Sequence, residues 1–176
     1  MRQANRRWWK LAVVAVVTAV EVLAEEKQPS RRRIVVSIPD RKLALIEDGR
    51  VVKVYRTAVG AAKSPSPTGT FLIVTRVPNP AHYVPGKITL PGPANPVGTR
   101  WIGLSIKGFG IHGTNVPRSI GKAASHGCIR MRNSDIEELF GLVSIGDVVE
   151  LRGERDAEAV RLFGGAAPAV AAGAGD

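Results

Sequence analysis

Apolar residues in this chain come in short runs, with glycine and proline recurring between many of them. Proline removes a backbone N–H and fixes φ, while glycine admits the positive φ that tight turns need. Most of the chain is therefore closed to long helices and open to short strands. Residues 34–38 form a β-branched run and read as a strand. Residues 43–46 and 51–59 flank Glu47-Asp48-Gly49-Arg50. An Asp-Gly pair between two apolar runs predicts a hairpin, because both central positions take φ > 0. Residues 60–69, with Pro65 and Pro67, read as a loop, and residues 71–77 and 100–106 read as strands. Between them, residues 78–98 hold six prolines and three glycines in 21 residues. This predicts one long irregular loop, and loops of that length usually carry function.

One segment has a clear helical period. Ile136, Leu139, Phe140 and Val143 fall at i, i+3, i+4 and i+7. Ser134 with Glu137 predicts a capping box, Gly146-Asp147 a stop, and residues 148–151 a closing strand. Arg155 to Phe163 could form a second, short helix. The predicted fold class is mostly β with one or two helices (α+β), a sandwich or barrel of short strands.

The two ends read differently from the middle. Residues 1–24 open with Arg2, Arg6, Arg7 and Lys10, continue through an apolar run from Leu11 to Val20, and close on Val22-Leu23-Ala24. That order predicts a signal peptide cut after Ala24, with an uncleaved anchor as the alternative. The apolar run is shorter than the roughly 18 residues a spanning helix needs. Residues 25–33 read as a linker, with Arg31-Arg32-Arg33 as a solvated arm. Residues 34–151 read as the folded domain, and residues 152–176 as an Ala/Gly-rich disordered tail. The formal net charge is +10, and +7 without residues 1–24. An exported cationic chain suits an anionic wall or membrane surface better than nucleic acid. The 5% aromatic content also supplies no base-stacking surface.

The chemistry concentrates between residues 111 and 133. Ile111-His112-Gly113-Thr114 is followed by Ser125-His126-Gly127-Cys128-Ile129-Arg130-Met131. Cys128 is the only cysteine, so no intramolecular disulfide can form. A buried cysteine can be an inert small hydrophobe. Here two histidines and several glycines lie close before it in sequence, and a neighbouring imidazole can take a thiol proton. Glycine beside the thiol lets backbone N–H groups approach a reacting carbonyl. Zinc on His112, His126 and Cys128 is the competing reading, but no fourth ligand is evident. His82, inside the proline-rich loop, reads as structural.

His-Gly-Thr followed by Ser-His-Gly-Cys-Ile-Arg-Met resembles the signature of the L,D-transpeptidases, the YkuD/ErfK family. Ser66-Pro67-Thr68-Gly69-Thr70-Phe71 resembles the family's Pro-Thr-Gly-x-Phe segment, and residues 95–104 resemble its Gram-negative, ErfK-like branch. Asn133, Asp135, Ile136 and Gly146-Asp147-Val148-Val149 continue the likeness, which spans about residues 34–151. The resemblance implies a β-rich catalytic domain in which Cys128 is the nucleophile, His112 its base, and the Gly113 carbonyl the group that orients the imidazole. It implies an oxyanion site at the amides of His126, Gly127 and Cys128, with Ser125 and His126 shaping it. It implies that Arg130 meets a substrate carboxylate and that Tyr83 and Trp101 line the cleft. Arg130 stands where the best-known form of the motif has Asn. The implied reaction is acyl transfer on peptidoglycan stem peptides in the periplasm, without cofactor, metal or nucleic acid, and with acylation by carbapenems. A second stem, an outer-membrane lipoprotein or water could resolve the thioester. A hydrolase of wall–lipoprotein links and an inactive wall-binding protein are the other readings.

Overall fold

The computed structural model describes residues 32–164. The expected signal peptide, all but two residues of the expected linker, and the chain after Gly164 lie outside them. The fold is a mixed eight-stranded sheet with a helix packed on each face, as the mostly-β reading requires.

Strand β1 (Arg32–Ser37) pairs antiparallel with β2 (Lys42–Glu47), which pairs antiparallel with β3 (Arg50–Arg56). The turn between β2 and β3 is the predicted one, with Asp48 at φ 49° and Gly49 at φ 78°. The 51–59 run is not one strand. It leaves β3 after Arg56, and Val59–Gly60 becomes β4. Ala58 exchanges both backbone hydrogen bonds with Arg130 on the way, so this stretch crosses to the other end of the sheet.

Strand β5 (Gly69–Pro78) follows, and then the proline-rich segment, which is not irregular throughout. It contains a small hairpin of β6 (His82–Val84) and β7 (Lys87–Thr89), turned at Pro85-Gly86 with Gly86 at φ 76°. Asn95, fully buried, secures the base of this hairpin. Its amide donates to the carbonyls of Pro80 (2.8 Å), Thr89 (3.3 Å) and Leu90 (3.2 Å).

Strands β8 (Arg100–Leu104) and β9 (Gly110–His112) form an antiparallel pair. After a 3₁₀ turn (Pro117–Ser119) come β10 (Ala123–Ser125), paired with β4, and β11 (Ile129–Arg130), paired parallel with β9. Helix α1 (Asn133–Leu142), β12 (Val148–Arg152) and helix α2 (Ala157–Phe163) complete the described chain. The sheet order is β11-β9-β8-β5-β12-β1-β2-β3.

Period-2 alternation builds two cores. Ile34, Val36, Leu43 and Leu45 face the main core with Ile102, Ile111, Ile129 and the α1 residues Ile136 and Leu139. Val35, Ala44 and Ile46 face the opposite way, under Ala159 and Phe163 of α2. Strands buried on both faces read as uninterrupted apolar runs, which is how residues 34–36 and 43–46 appear in the sequence.

Four local expectations are corrected. Helix α1 begins one residue before Ser134, so Ser134 is inside it; its hydroxyl donates to Asp135 at 3.3 Å and no capping box forms. The helix also ends before Gly146. Val143 is already extended, and the Asp147 carboxylate takes the Ser144 N–H at 2.7 Å. Arg32 and Arg33 are not a solvated arm but the start of β1. Arg32 pairs with Glu47 at 2.8 Å, and Arg33 bridges Glu150 on β12 and Glu158 on α2. Arg152 joins the same network through Glu150, Asp156 and Glu158. Asp156 caps α2 by accepting the Ala159 N–H at 2.7 Å. Residues 152–163 are thus part of the fold rather than of a tail.

Candidate active site

Strands β8 and β9 present the core with one set of side chains and the outer face with the other. Ile102, Leu104 and Ile111 point inward. Trp101, directly opposite His112 in the register, shares the outer face with it. Residues opposite each other in an antiparallel pair project to one side. The indole and imidazole stack accordingly, with centroids 5.5 Å apart and planes 21° apart. The indole lies over Gly103 and Gly110. A Cβ at Gly103 would fall 2.9 Å from Trp101 Nε1, and one at Gly110 would fall 2.7 Å from its six-membered ring. Two opposed glycines make the floor on which the ring rests.

Strand β11 sits on the other side of β9, in a register that places Ile129 beside Ile111 and Arg130 beside His112. Ile129 again joins the core and Arg130 the outer face. Cys128, immediately before β11, is thereby delivered to the same face.

The turn carrying Cys128 is held from within. The Ser125 hydroxyl donates to the Cys128 carbonyl (2.6 Å) and accepts the Gly127 N–H (3.0 Å). Gly127 has φ 111°, and a Cβ there would fall 2.6 Å from the Phe109 ring. Its conformation and its closeness to Phe109 both require glycine. Because Ser125 takes the Gly127 N–H, the amides of His126 and Cys128 are the two of this turn left without an acceptor among the described residues. Of the three amides expected to form an oxyanion site, Gly127 is therefore already engaged.

The thiol of Cys128 lies 3.6 Å from the Gly108 carbonyl. Burial raises its pKa, opposed by the Gly110 backbone and by the positive charge of Arg130. His112 is 5% exposed. Its Nδ1–H donates to the Gly113 carbonyl at 2.6 Å, which leaves Nε2 as the free acceptor nitrogen. Burial lowers the imidazole pKa from 6.5 to about 4; the bond to Gly113 opposes this, and the charge of Arg130 adds to it. The resting pair is a neutral thiol and a neutral imidazole with a fixed tautomer.

Tyr83, Trp101, His112, Ser125, His126, Cys128 and Arg130 all line one cavity of about 380 Å³. Gly113 and Gly127 act there through the backbone. Tyr83 is 70% exposed, at the hairpin that overhangs the cavity. His82, read from sequence as structural, also lines it. Gly108 and Phe109, which the sequence reading passed over, supply the thiol's nearest carbonyl and the wall behind Gly127. Among the described residues, no three His, Cys, Asp or Glu side chains converge on a point where a metal could sit.

A charge pattern also went unread. Between Asp48 and Asp135 the chain has twelve Lys and Arg and no Asp or Glu. Lys63, Lys87, Lys107, Arg118 and Lys122 fall on the loops and the β6–β7 hairpin of this stretch, and Arg130 lines the cavity itself. None of the six is paired with a carboxylate among the described residues.

Comparison with known proteins finds relatives of the sequence and of the fold. The profile of YkuD, the L,D-transpeptidase catalytic domain, matches residues 31–151. The chain is similar to the YkuD protein of Bacillus licheniformis, 45% identical over 119 residues, covering 68% of this chain and 64% of that one. It is 33% identical to the ErfK/SrfK protein of Escherichia coli, over 69% of this chain and 44% of that one. Among solved structures, an L,D-transpeptidase from Mycobacterium smegmatis superposes with a TM-score of 0.60 at 22% identity, covering 70% of this chain and 59% of that one. The match shows a shared fold. The chain spans somewhat less than two thirds of the length of the Bacillus licheniformis and Mycobacterium smegmatis proteins.

Proposed function

Because this chain belongs to the YkuD family of L,D-transpeptidase catalytic domains, we propose that it is a cysteine acyltransferase acting on the stem peptides of peptidoglycan. The observation that carries the reading is the His112–Gly113 hydrogen bond at 2.6 Å, which fixes the imidazole tautomer in a cavity that His112 lines together with Cys128.

As Cys128 Sγ attacks the carbonyl carbon of the third stem residue, its proton passes to His112 Nε2. The carbonyl oxygen becomes an oxyanion and is met by the N–H groups of His126 and Cys128. The imidazolium, disfavoured by burial, is a strong acid. It hands the proton to the departing nitrogen, the C–N bond breaks, D-alanine leaves and a thioester remains. An incoming amine then attacks the thioester, His112 takes its proton, and Cys128 leaves as the thiol. The Gly113 carbonyl does the orienting work that an Asp or Asn side chain does in other triads.

The acid-free cationic stretch between Asp48 and Asp135 supports a donor bearing several carboxylates, and Arg130, in the cavity, suits one of them as a bidentate partner. The basic-then-apolar order of residues 2–24 supports export to the periplasm. The acceptor is a second stem's diaminopimelate amine or a lipoprotein lysine, and water in its place makes the enzyme a carboxypeptidase. Placement in the ErfK-like branch rests on residues 95–104 and Arg130. Identity is 45% to the YkuD protein and 33% to ErfK/SrfK, so the family rather than the branch carries the reading.

The test is mass spectrometry of tetrapeptide muropeptides incubated with the reduced, purified protein. A dimer lighter by one D-alanine is the expected product, absent with Cys128→Ala and His112→Ala. Full activity in Cys128→Ala would overturn the mechanism.

A further inference from the structure

The triad of this site ends at a backbone carbonyl, and a carbonyl orients an imidazole only as firmly as its own peptide plane is held. The Gly113 carbonyl belongs to the Gly113–Thr114 peptide. The other end of that peptide, the Thr114 N–H, donates to Asn133 Oδ1 at 3.0 Å. The Thr99 N–H approaches the same oxygen at 3.4 Å. Two converging N–H donors identify the side-chain atom as the oxygen rather than the nitrogen.

The chain makes room for this contact. A Cβ at either Gly98 or Gly113 would fall well inside contact distance of Asn133 Oδ1. Two separate glycines are therefore cut back around one asparagine. Its approach is also fixed by strand pairing. Strand β11 runs beside β9, the Met131 N–H donates to the His112 carbonyl at 2.8 Å, and α1 starts at Asn133. One short segment thus carries Cys128 into the cavity with His112, Arg130 beside it, and Asn133 to the peptide that holds it.

We propose that Asn133 is a positioning residue of the reaction, an outer member of a Cys128–His112–Gly113 series that acts through the Gly113–Thr114 peptide. The hydrogen bond at Thr114 fixes the peptide plane, and in a low-dielectric site it also makes the carbonyl at the other end a better acceptor. Held this way, the Gly113 carbonyl keeps the proton on Nδ1 and leaves Nε2 free for the thiol. The proposal rests on the acyl-transfer reading for its kinetic consequence, but not for its structural one.

The experiment compares the wild-type protein with Asn133→Ala and Asn133→Asp. It measures kcat and KM against pH on tetrapeptide muropeptide, and the His112 ring nitrogens by 15N NMR. Asn133→Ala should lower kcat by roughly 10- to 100-fold, the scale that misplacing a catalytic group by about 1 Å produces. KM should stay within about twofold, and the single Nδ1–H tautomer should give way to a mixture. Asn133→Asp keeps an acceptor for Thr114. It should retain the tautomer and most of kcat, and its added negative charge should move the acid limb to higher pH. An Asn133→Ala protein with unchanged tautomer and kcat would overturn the proposal. So would an Asn133→Asp protein that has lost the tautomer and kcat. If the wild-type protein releases no D-alanine, the acyl-transfer reading fails instead, and the tautomer measurement still decides the role of Asn133.

Discussion

Burying His112 as a neutral base has a cost at low pH that a stability measurement can read without any substrate. In the unfolded chain the imidazole titrates near 6.5, and in the fold near 4, because burial disfavours its charged form. Between those values the unfolded state binds a proton that the folded state refuses. Stability is therefore full above pH 6.5 and falls as pH drops toward 4. At 1.36 kcal/mol per unit, the loss from this one group is about 3 kcal/mol, on the order of 10 °C in Tm for a domain of this size. The window is separable from that of the carboxylates. Glu158 and Asp156 are held below their ordinary values by Arg33 and by the Ala159 N–H respectively, so their contribution is lost only at lower pH. The assay is urea denaturation of wild type and His112→Gln at intervals from pH 7.5 to 4.5. The variant should be less stable at neutral pH and lose less on acidification, so that the two curves converge. Parallel curves would refute the claim that His112 is held neutral by burial.

Three other expectations can be checked directly. Gly110→Ala pushes a Cβ against the Trp101 ring and the Ile102 carbonyl, and Gly103→Ala against Thr75 Oγ1 and the Trp101 ring; each should cost about 1–3 kcal/mol by overpacking and lower kcat by displacing the ring stacked on His112. Gly141→Ala, in α1 with open space around it, is the control and should be neutral or stabilising by thermal melt. Burial of the Cys128 thiol should make iodoacetamide alkylation slower at pH 7 than that of a free cysteine and steeply faster as pH rises, while a carbapenem should add once to wild type and not to Cys128→Ala by intact mass. The unpaired cations of the acid-free stretch, Arg130 among them, should make kcat/KM fall several-fold with rising salt, and Lys63→Glu or Lys107→Glu should flatten that dependence; a salt-independent wild type would count against an anionic donor.

Features set by local rules were legible in the sequence. The Asp48-Gly49 turn is demanded by two positive φ values, and residues 34–36 and 43–46 show in their continuous apolar character that both faces are covered. Helix α1 announced itself by spacing, but its start depends on where β11 releases the chain, which no capping motif encodes. The β6–β7 hairpin was hidden because its strands are three residues long, largely exposed and bordered by prolines, so neither periodicity nor run length marks them. In the site, Cys128 and His112 were legible because a single thiol closely following two histidines is rare chemistry. His82 was not, because only the folding of the hairpin brings it to a cavity whose His112 and Cys128 lie 30 and 46 residues further along the chain. Asn133 could be noticed as part of a motif, but its partner at Thr114 is set by parallel strand pairing.

That pairing is also why the core and the site cannot be treated as separate parts of this molecule. Strands β8, β9 and β11 each place an isoleucine in the core beside a functional residue on the outer face: Ile102 next to Trp101, Ile111 next to His112, Ile129 next to Arg130. The three isoleucines are at most 1% exposed. Their burial fixes the register, since a slip of one residue would move each isoleucine to the outer face and its neighbour into the core. Such a slip would bury Arg130 without a counter-charge and expose three large apolar side chains, both of which cost several kcal/mol. The energy that prevents it is hydrophobic, but what it secures is the candidate site: the side-by-side order of Trp101, His112 and Arg130, with Cys128 one residue before β11. The site needs no flexible loop to assemble His112 against its partners. The alternation that builds the core sets the order of the outer face, and Ser125, Gly127 and Asn133 then adjust the backbone around it.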